Sequence, residues 1–173
     1  MSTDTGLRVG VIDLRRHPGE RRHVERSVVL DDIGITSAHV PADRAITVDL
    51  ELEAVSDGIV AHGTIVVPWE GECRRCLTDV QGETEAEIRE VFSKDAVEGE
   101  TYRLDEDVVD LEPMLRDAAL LVLPLAPLCG PDCAGPAPVA FPTGPATEDA
   151  APADPRWAAL DELRFDSSLE SDD

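Results

Sequence analysis

Between Ile46 and Ala54 the chain alternates without a break: Ile46, Val48, Leu50, Leu52 and Ala54 fall on one side, Thr47, Asp49, Glu51 and Glu53 on the other. An extended strand gathers such residues into one apolar face, whereas a helix would scatter them around its axis. Ser56-Asp57-Gly58 follows with the Asp-Gly hairpin signal, and Ile59, Ala61, Ile65 and Val67 share one face of a second β-rich run. Val80, Thr84, Ala86 and Ile88 then alternate with Gln81, Glu83, Glu85 and Glu87, which predicts a third antiparallel strand with an acidic outer face.

The period changes after Asp110. Leu111, Met114, Leu115, Ala118 and Val122 fall at i, i+3, i+4, i+7 and i+11, one helical stripe. Asp110 stands where an N-cap belongs, Pro113 is tolerable in the first turn, and Pro124 stops the helix. Leu120, Leu121 and Leu123 make the last turns apolar nearly all round, which predicts a buried helix over residues 110–123. Residues 93–107 carry many charges and no sustained period, so a solvated loop is expected. Residues 134–155 are dominated by Ala, Pro and Gly, the composition of a flexible linker. Beyond it, "RWAALDELRF" predicts a short amphipathic helix docking Trp157, Leu160 and Leu163, and "DSSLESDD" an acidic tail.

The expected organisation is one α+β domain over residues 7–133, a Pro/Ala/Gly linker over 134–155, and a short helix with an acidic tail over 156–173. Its sheet is antiparallel and twisted or partly barrel-like, one buried helix packs on it, and the C-terminal segment is disordered. A length of 173 residues fits one domain with tails, and 42% hydrophobic residues suffice for its core. Aromatic residues are only 3%, which disfavours base stacking as a way of holding single-stranded nucleic acid. The start, "MSTDTGLRVGVIDL", lacks the features of a secretory signal, and no apolar run approaches the ~20 residues that span a bilayer. A soluble cytoplasmic protein with no membrane partner is expected, in a compartment where thiols stay reduced.

Four cysteines stand in two tight pairs, Cys73 and Cys76 in "ECRRCL" and Cys129 and Cys133 in "PLCGPDCAG". A Cys-x-x-Cys turn aims two sulfurs at one ion, and a second pair completes a tetrahedral set. Arg74 and Arg75 in that turn would lower the thiol pKa values and offset the −2 charge of a zinc tetrathiolate. One zinc site of Cys73, Cys76, Cys129 and Cys133 is the leading reading. Idle thiols come second, and redox work is the weakest, because a thioredoxin-like pair sits at a strand-to-helix junction and this one precedes a strand.

Net charge is −22, unevenly spread. Arg8, Arg15, Arg16, Arg21, Arg22 and Arg26 face only Asp13, Glu20 and Glu25, so the N-terminal stretch is basic. From Asp31 onward nine basic residues meet thirty-three acidic ones, a surface that repels phosphate and attracts cationic proteins. Arg15, Arg16, Arg21, Arg22 and Arg26 in "RRHPGERRHVER" can hold phosphates around a Pro-Gly turn, or equally form a charged loop that offsets the acidity elsewhere. His17, His23, His39 and His62 have no ligand spacing, and Asp105, Glu106, Asp107 and Asp110 lack calcium-loop spacing, so both sets read as surface residues. No phosphate-cradling glycine loop and no nucleophile elbow occurs; no catalytic residue, no organic cofactor and no small-molecule substrate is indicated.

Taken together, "GECRRCL", "DLEPMLRDAALLVLPLAPLCGPDCAG" and "DPRWAAL", in that order and preceded by "VIDLRRHPGERR" and "LELEAVSDGIVAHGTIVVPW", resemble the YceD family of large ribosomal RNA subunit accumulation proteins. The resemblance runs from Leu7 to Leu160. It implies a bacterial cytoplasmic factor needed for normal accumulation of large-subunit rRNA, with no established catalysis. The partners it implies are a large-subunit rRNA precursor or a basic large-subunit ribosomal protein. The alternatives are an acidic chaperone of such a protein and a thiol oxidoreductase. Similar relatives continue the second cysteine pair into a further Cys-x-x-Cys, where Ala137 and Ala140 stand here. A separate four-cysteine site in the second half is therefore excluded.

Overall fold

The alternating stretch becomes a strand in the computed structural model, which describes residues 6–17, 19–136, 139–140 and 156. In this strand, β4 (Ile46–Val55), Ile46, Val48, Leu50 and Leu52 are fully buried while Thr47 and Asp49 are exposed. Val55 pairs with Gly58, so the hairpin turn is Ser56-Asp57 and Gly58 already belongs to β5 (Gly58–Glu72). Along its whole length β5 pairs antiparallel with β6 (Asp79–Ser93), from Gly58↔Ser93 to Glu72↔Asp79. Glu83, Glu85 and Glu87 lie on the exposed face of β6, as the alternation predicts.

The basic N-terminal stretch is structured, not a loop. It forms β1 (Arg8–Gly10), the single-turn helix α1 (Ile12–Arg16) and β2 (Arg21–Val28), which pairs antiparallel with β4. Period-two reading misses β2 because only Val24 and Val28 of its inward positions are apolar; Arg22 and Arg26 fill the others. The expected solvated loop at 93–107 also contains a strand, β7 (Tyr102–Asp105), parallel to the end of β6 through Phe92↔Tyr102. A two-residue turn with Glu106 at φ 53 leads into β8 (Val108–Asp110), which pairs with β1.

The sheet order is β1-β8-β7-β6-β5-β4-β2, with the two-residue β3 (Ala38–His39) paired to β5 near its end. The sheet curls into a half-barrel, an α+β arrangement with two short helices. Side chains of β2 hold the other end of the sheet: the Arg22 guanidinium donates to the carbonyl of Gly10 in β1, and Arg26 Nε to that of Gly6, just ahead of β1, at 3.3 Å. The core fills the concave face, with Leu7, Leu14, Ile46, Leu50, Ile59, Ile65, Phe92 and Leu111 buried together.

The second helix, α2 (Glu112–Val122), packs against β6. The N-cap is Leu111, one residue later than the expected Asp110, whose Oδ1 instead accepts the Glu112 N–H at 3.1 Å from the position before the cap and satisfies one free donor of the first turn. Leu123, held extended at ψ 135 ahead of Pro124, ends it. Only one face is buried, through Met114, Leu115 and Ala119; Leu120 is exposed and Leu121 is 85% exposed. An apolar last turn does not say which side the sheet will cover. Tyr102 ties β7 to α2 by donating its hydroxyl to Asp117 Oδ2 at 2.9 Å, and burial together with that carboxylate pushes the phenol pKa up. Among the described residues no helix is long and apolar enough to cross a membrane. The expected linker and C-terminal helix lie almost wholly outside the described residues.

Candidate metal centre

The β5–β6 connection is a tight turn built to present sulfur. The Cys73 N–H donates to the Thr78 carbonyl and the Leu77 N–H to the Cys73 carbonyl, each at 2.8 Å, with Leu77 in the left-handed region at φ 61. The chain leaving α2 docks on this turn, because the Arg74 N–H donates to the carbonyl of buried Pro127 at 2.9 Å. Gly71 permits the approach on the other side, since a Cβ there would stand 2.4 Å from the Ser37 carbonyl oxygen.

These contacts bring the two cysteine pairs together. Cys73 Sγ is 3.7 Å from Cys133 Sγ, Cys76 Sγ is 3.7 Å from Cys129 Sγ, and all four sulfurs lie within 4.8 Å of one another. The separations are far beyond the ~2.05 Å of a disulfide, and the thiols are free. Sulfurs held ~2.3 Å from one tetrahedral ion stand roughly 3.8 Å apart, so two of the contacts already have tetrathiolate spacing and the others need to close by no more than about 1 Å. Cys73 is fully buried, Cys76 and Cys133 are half-buried and Cys129 is exposed.

Hydrogen bonds prepare the site for thiolates. The backbone N–H groups of Cys76 and Cys129 lower the Cys73 pKa to about 6 against 9.0 for a free thiol, outweighing its burial. Thr78 lowers Cys76, first through its hydroxyl, 3.1 Å from Cys76 Sγ, and then through its N–H. Cys129 is pushed up to about 12 by the neighbouring sulfurs, that of Cys133 first and then those of Cys76 and Cys73. The guanidinium charges expected to do this work do something else. Arg74 Nη1 reaches the Leu125 carbonyl at 3.4 Å and Arg75 Nη1 the Cys133 carbonyl at 3.2 Å, so both hold the docked loop. Thr78 and Pro127 are the residues that spacing rules did not single out, because their roles depend on a contact between distant segments.

The other candidates are dispersed. Arg15 donates to the Glu106 carbonyl and pairs with Asp107, Arg21 pairs with Glu51 and Glu53, and Arg22 approaches Asp13. Arg26 donates to Gly6 and to the Glu25 carbonyl. Arg16 is exposed on α1 with no hydrogen bond or ion pair among the described residues. His17, His23 and His62 sit beside Glu20, Asp49 and Glu51 respectively, and the four cysteines are the one group with metal-ligand spacing among the described residues.

A family model described as "Large ribosomal RNA subunit accumulation protein YceD" matches residues 61–164, which contain all four cysteines, β6 to β8 and α2. An uncharacterized protein of Mycobacterium tuberculosis is 34% identical over 170 residues, spanning 91% of this chain and 81% of its own length. An uncharacterized protein of Mycobacterium leprae is 31% identical over 133 residues, 72% of this chain and 61% of the relative. No solved structure gives a significant match.

Proposed function

The chain belongs to the YceD family, and from that membership we propose that it supports accumulation or processing of large-subunit (23S) rRNA in the cytoplasm by binding, without catalysis. The observation that carries this reading is the family match itself, which spans the cysteine turn, the acidic strand and the helix that precedes the second cysteine pair. Cys73, Cys76, Cys129 and Cys133 hold one structural zinc in this proposal. A set of four sulfurs with no open position suits a structural ion, which when bound supplies a cross-link between the β5–β6 turn and the loop after α2. Arg15, Arg16, Arg21, Arg22 and Arg26 are the proposed phosphate contacts, with Arg16 the least committed within the fold.

A second reading, an acidic chaperone for a basic large-subunit ribosomal protein, is favoured by the exposed carboxylates of Glu83, Glu85 and Glu87 along β6. A thiol oxidoreductase has less support, since the Cys73–Cys76 pair lies in a hairpin turn and not at a helix N-terminus.

Affinity purification from growing cells, with sequencing of bound RNA and mass spectrometry of bound protein, tests the proposal. Enrichment of large-subunit rRNA precursors or large-subunit proteins over their small-subunit counterparts is expected. Equal recovery from both subunits contradicts it.

A further inference from the structure

Next to the cysteine turn the surface forms a groove of about 1010 Å³ between the segment at residues 35–39, the end of the β5–β6 hairpin and Leu125–Pro127. That volume is at the upper end for binding pockets and accommodates a peptide segment. Ile35, Leu77 and Leu125 give it an apolar lining, and Leu77 and Leu125 are 66% and 77% exposed. Leu77 is costly twice over. Its φ of 61 lies in a region that bulky residues rarely occupy, and its side chain points into solvent where it adds nothing to the core.

The rim is acidic. Glu70, Glu72 and Asp79 line the groove and form no ion pair among the described residues, whereas Glu51, Glu53, Glu83 and Asp107 are each paired with an arginine. Arg74, a cation at the same place, directs its guanidinium to the Leu125 carbonyl.

We propose that this groove binds a cationic amphipathic peptide segment of a basic protein. Apolar side chains of the segment cover Leu77 and Leu125, and its Lys or Arg residues answer Glu70, Glu72 and Asp79. RNA is disfavoured there because each phosphate would meet those carboxylates. The chain's own terminus, "DSSLESDD", has the wrong sign for the rim. The proposal rests on the ribosomal reading only for who the partner is, since the groove's chemistry is independent of it.

The test uses the full chain and a fluorescent peptide of leucine and lysine at helical spacing, with a lysine-to-glutamate counterpart and a single-stranded RNA oligonucleotide for comparison. Saturable binding of the lysine peptide and none of its glutamate counterpart is expected, and any RNA binding by the full chain should be unchanged by substitution of Leu77 and Leu125. Leu77→Asn with Leu125→Ser should weaken it roughly tenfold or more, as loss of two apolar contacts requires; asparagine suits the left-handed turn and keeps the fold. Glu70→Gln, Glu72→Gln and Asp79→Asn together should weaken it similarly and flatten its salt dependence, while Asp95→Asn, Glu98→Gln and Glu100→Gln, which remove the same charge elsewhere, should not. Equal loss in both triple variants, an unchanged peptide affinity in the leucine variant, or RNA binding, titrated separately, that the leucine variant weakens as much as peptide binding overturns the groove. A negative result here leaves the rRNA reading standing, and an unaltered rRNA ratio in depleted cells ends that reading without touching peptide binding.

Discussion

Cys73 Sγ lies 3.7 Å from Cys133 Sγ although sixty positions separate them in sequence. The contact joins the tip of the longest hairpin to the loop that follows α2, and a zinc ion there would lock the two segments together. Protein purified without chelator is expected to contain about one zinc per chain, and Cys76→Ser should lose it and drop in thermal stability, because metal-binding free energy is also folding free energy. Elemental analysis with thermal unfolding checks both. A folded, metal-free protein with four freely titrating thiols contradicts the site.

Thr78→Val removes the hydroxyl 3.1 Å from Cys76 Sγ while leaving the carbonyl that receives the Cys73 N–H. Partners of this kind around a ligand are worth roughly 10–100-fold in metal affinity, so a chelator competition titration should show a loss in that range with little change of fold.

Acid should open the site. The Cys73 thiol ionises near 6 in the fold and at 9.0 when free, so its contribution to stability is complete above pH 9.0 and is lost as pH falls through about 6. Cys129 shifts upward, so its contribution holds below pH 9.0 and does not offset that loss on the acid side. In the metal-free protein a lower melting temperature should therefore set in as pH falls through about 6, and in the zinc-loaded protein acid should release the ion by protonating its ligands. A melting temperature indifferent to pH across that window contradicts the assignment.

Arg22 of β2 has structural work to do and Arg16 of α1 does not. Arg22→Met frees the Gly10 carbonyl at the seam between β2 and β1 and should cost about 1–2 kcal/mol, a charge-assisted hydrogen bond discounted for exposure. Arg16→Glu removes no intramolecular contact among the described residues and should stay within about 0.5 kcal/mol of the parent. If these arginines hold RNA, Arg16→Glu weakens binding in a filter assay without loss of fold, whereas Arg22→Met confounds the two effects.

The central hairpins and α2 were legible because their apolar periods are uninterrupted: Ile46 to Ala54 leaves no other solution, and Pro124 marks where α2 must stop. β2 was illegible for a definite reason. Its inward positions hold Arg22 and Arg26, which look like solvent residues until the fold brings to them the carbonyls of Gly10 at the end of β1 and of Gly6 ahead of it. β7 is short and pairs parallel to β6 over two residues, too little to leave a period. At the cysteine site the four ligand residues were readable from spacing, but the source of their acidity was not. The N–H groups and Thr78 that lower the Cys73 and Cys76 thiols come from the shape of the turn and the docking of a distant loop, while Arg74 and Arg75 hold that loop by its carbonyls.

The most direct test of the account is the ratio of large-subunit to small-subunit rRNA in cells depleted of the protein, with complementation by the parent chain and by Cys76→Ser. A fall in the ratio that the parent restores and Cys76→Ser restores poorly is expected, since loss of the proposed zinc cross-link lowers the stability of the fold and with it the amount of working protein. A ratio unchanged by depletion contradicts the account, whatever the purified protein binds.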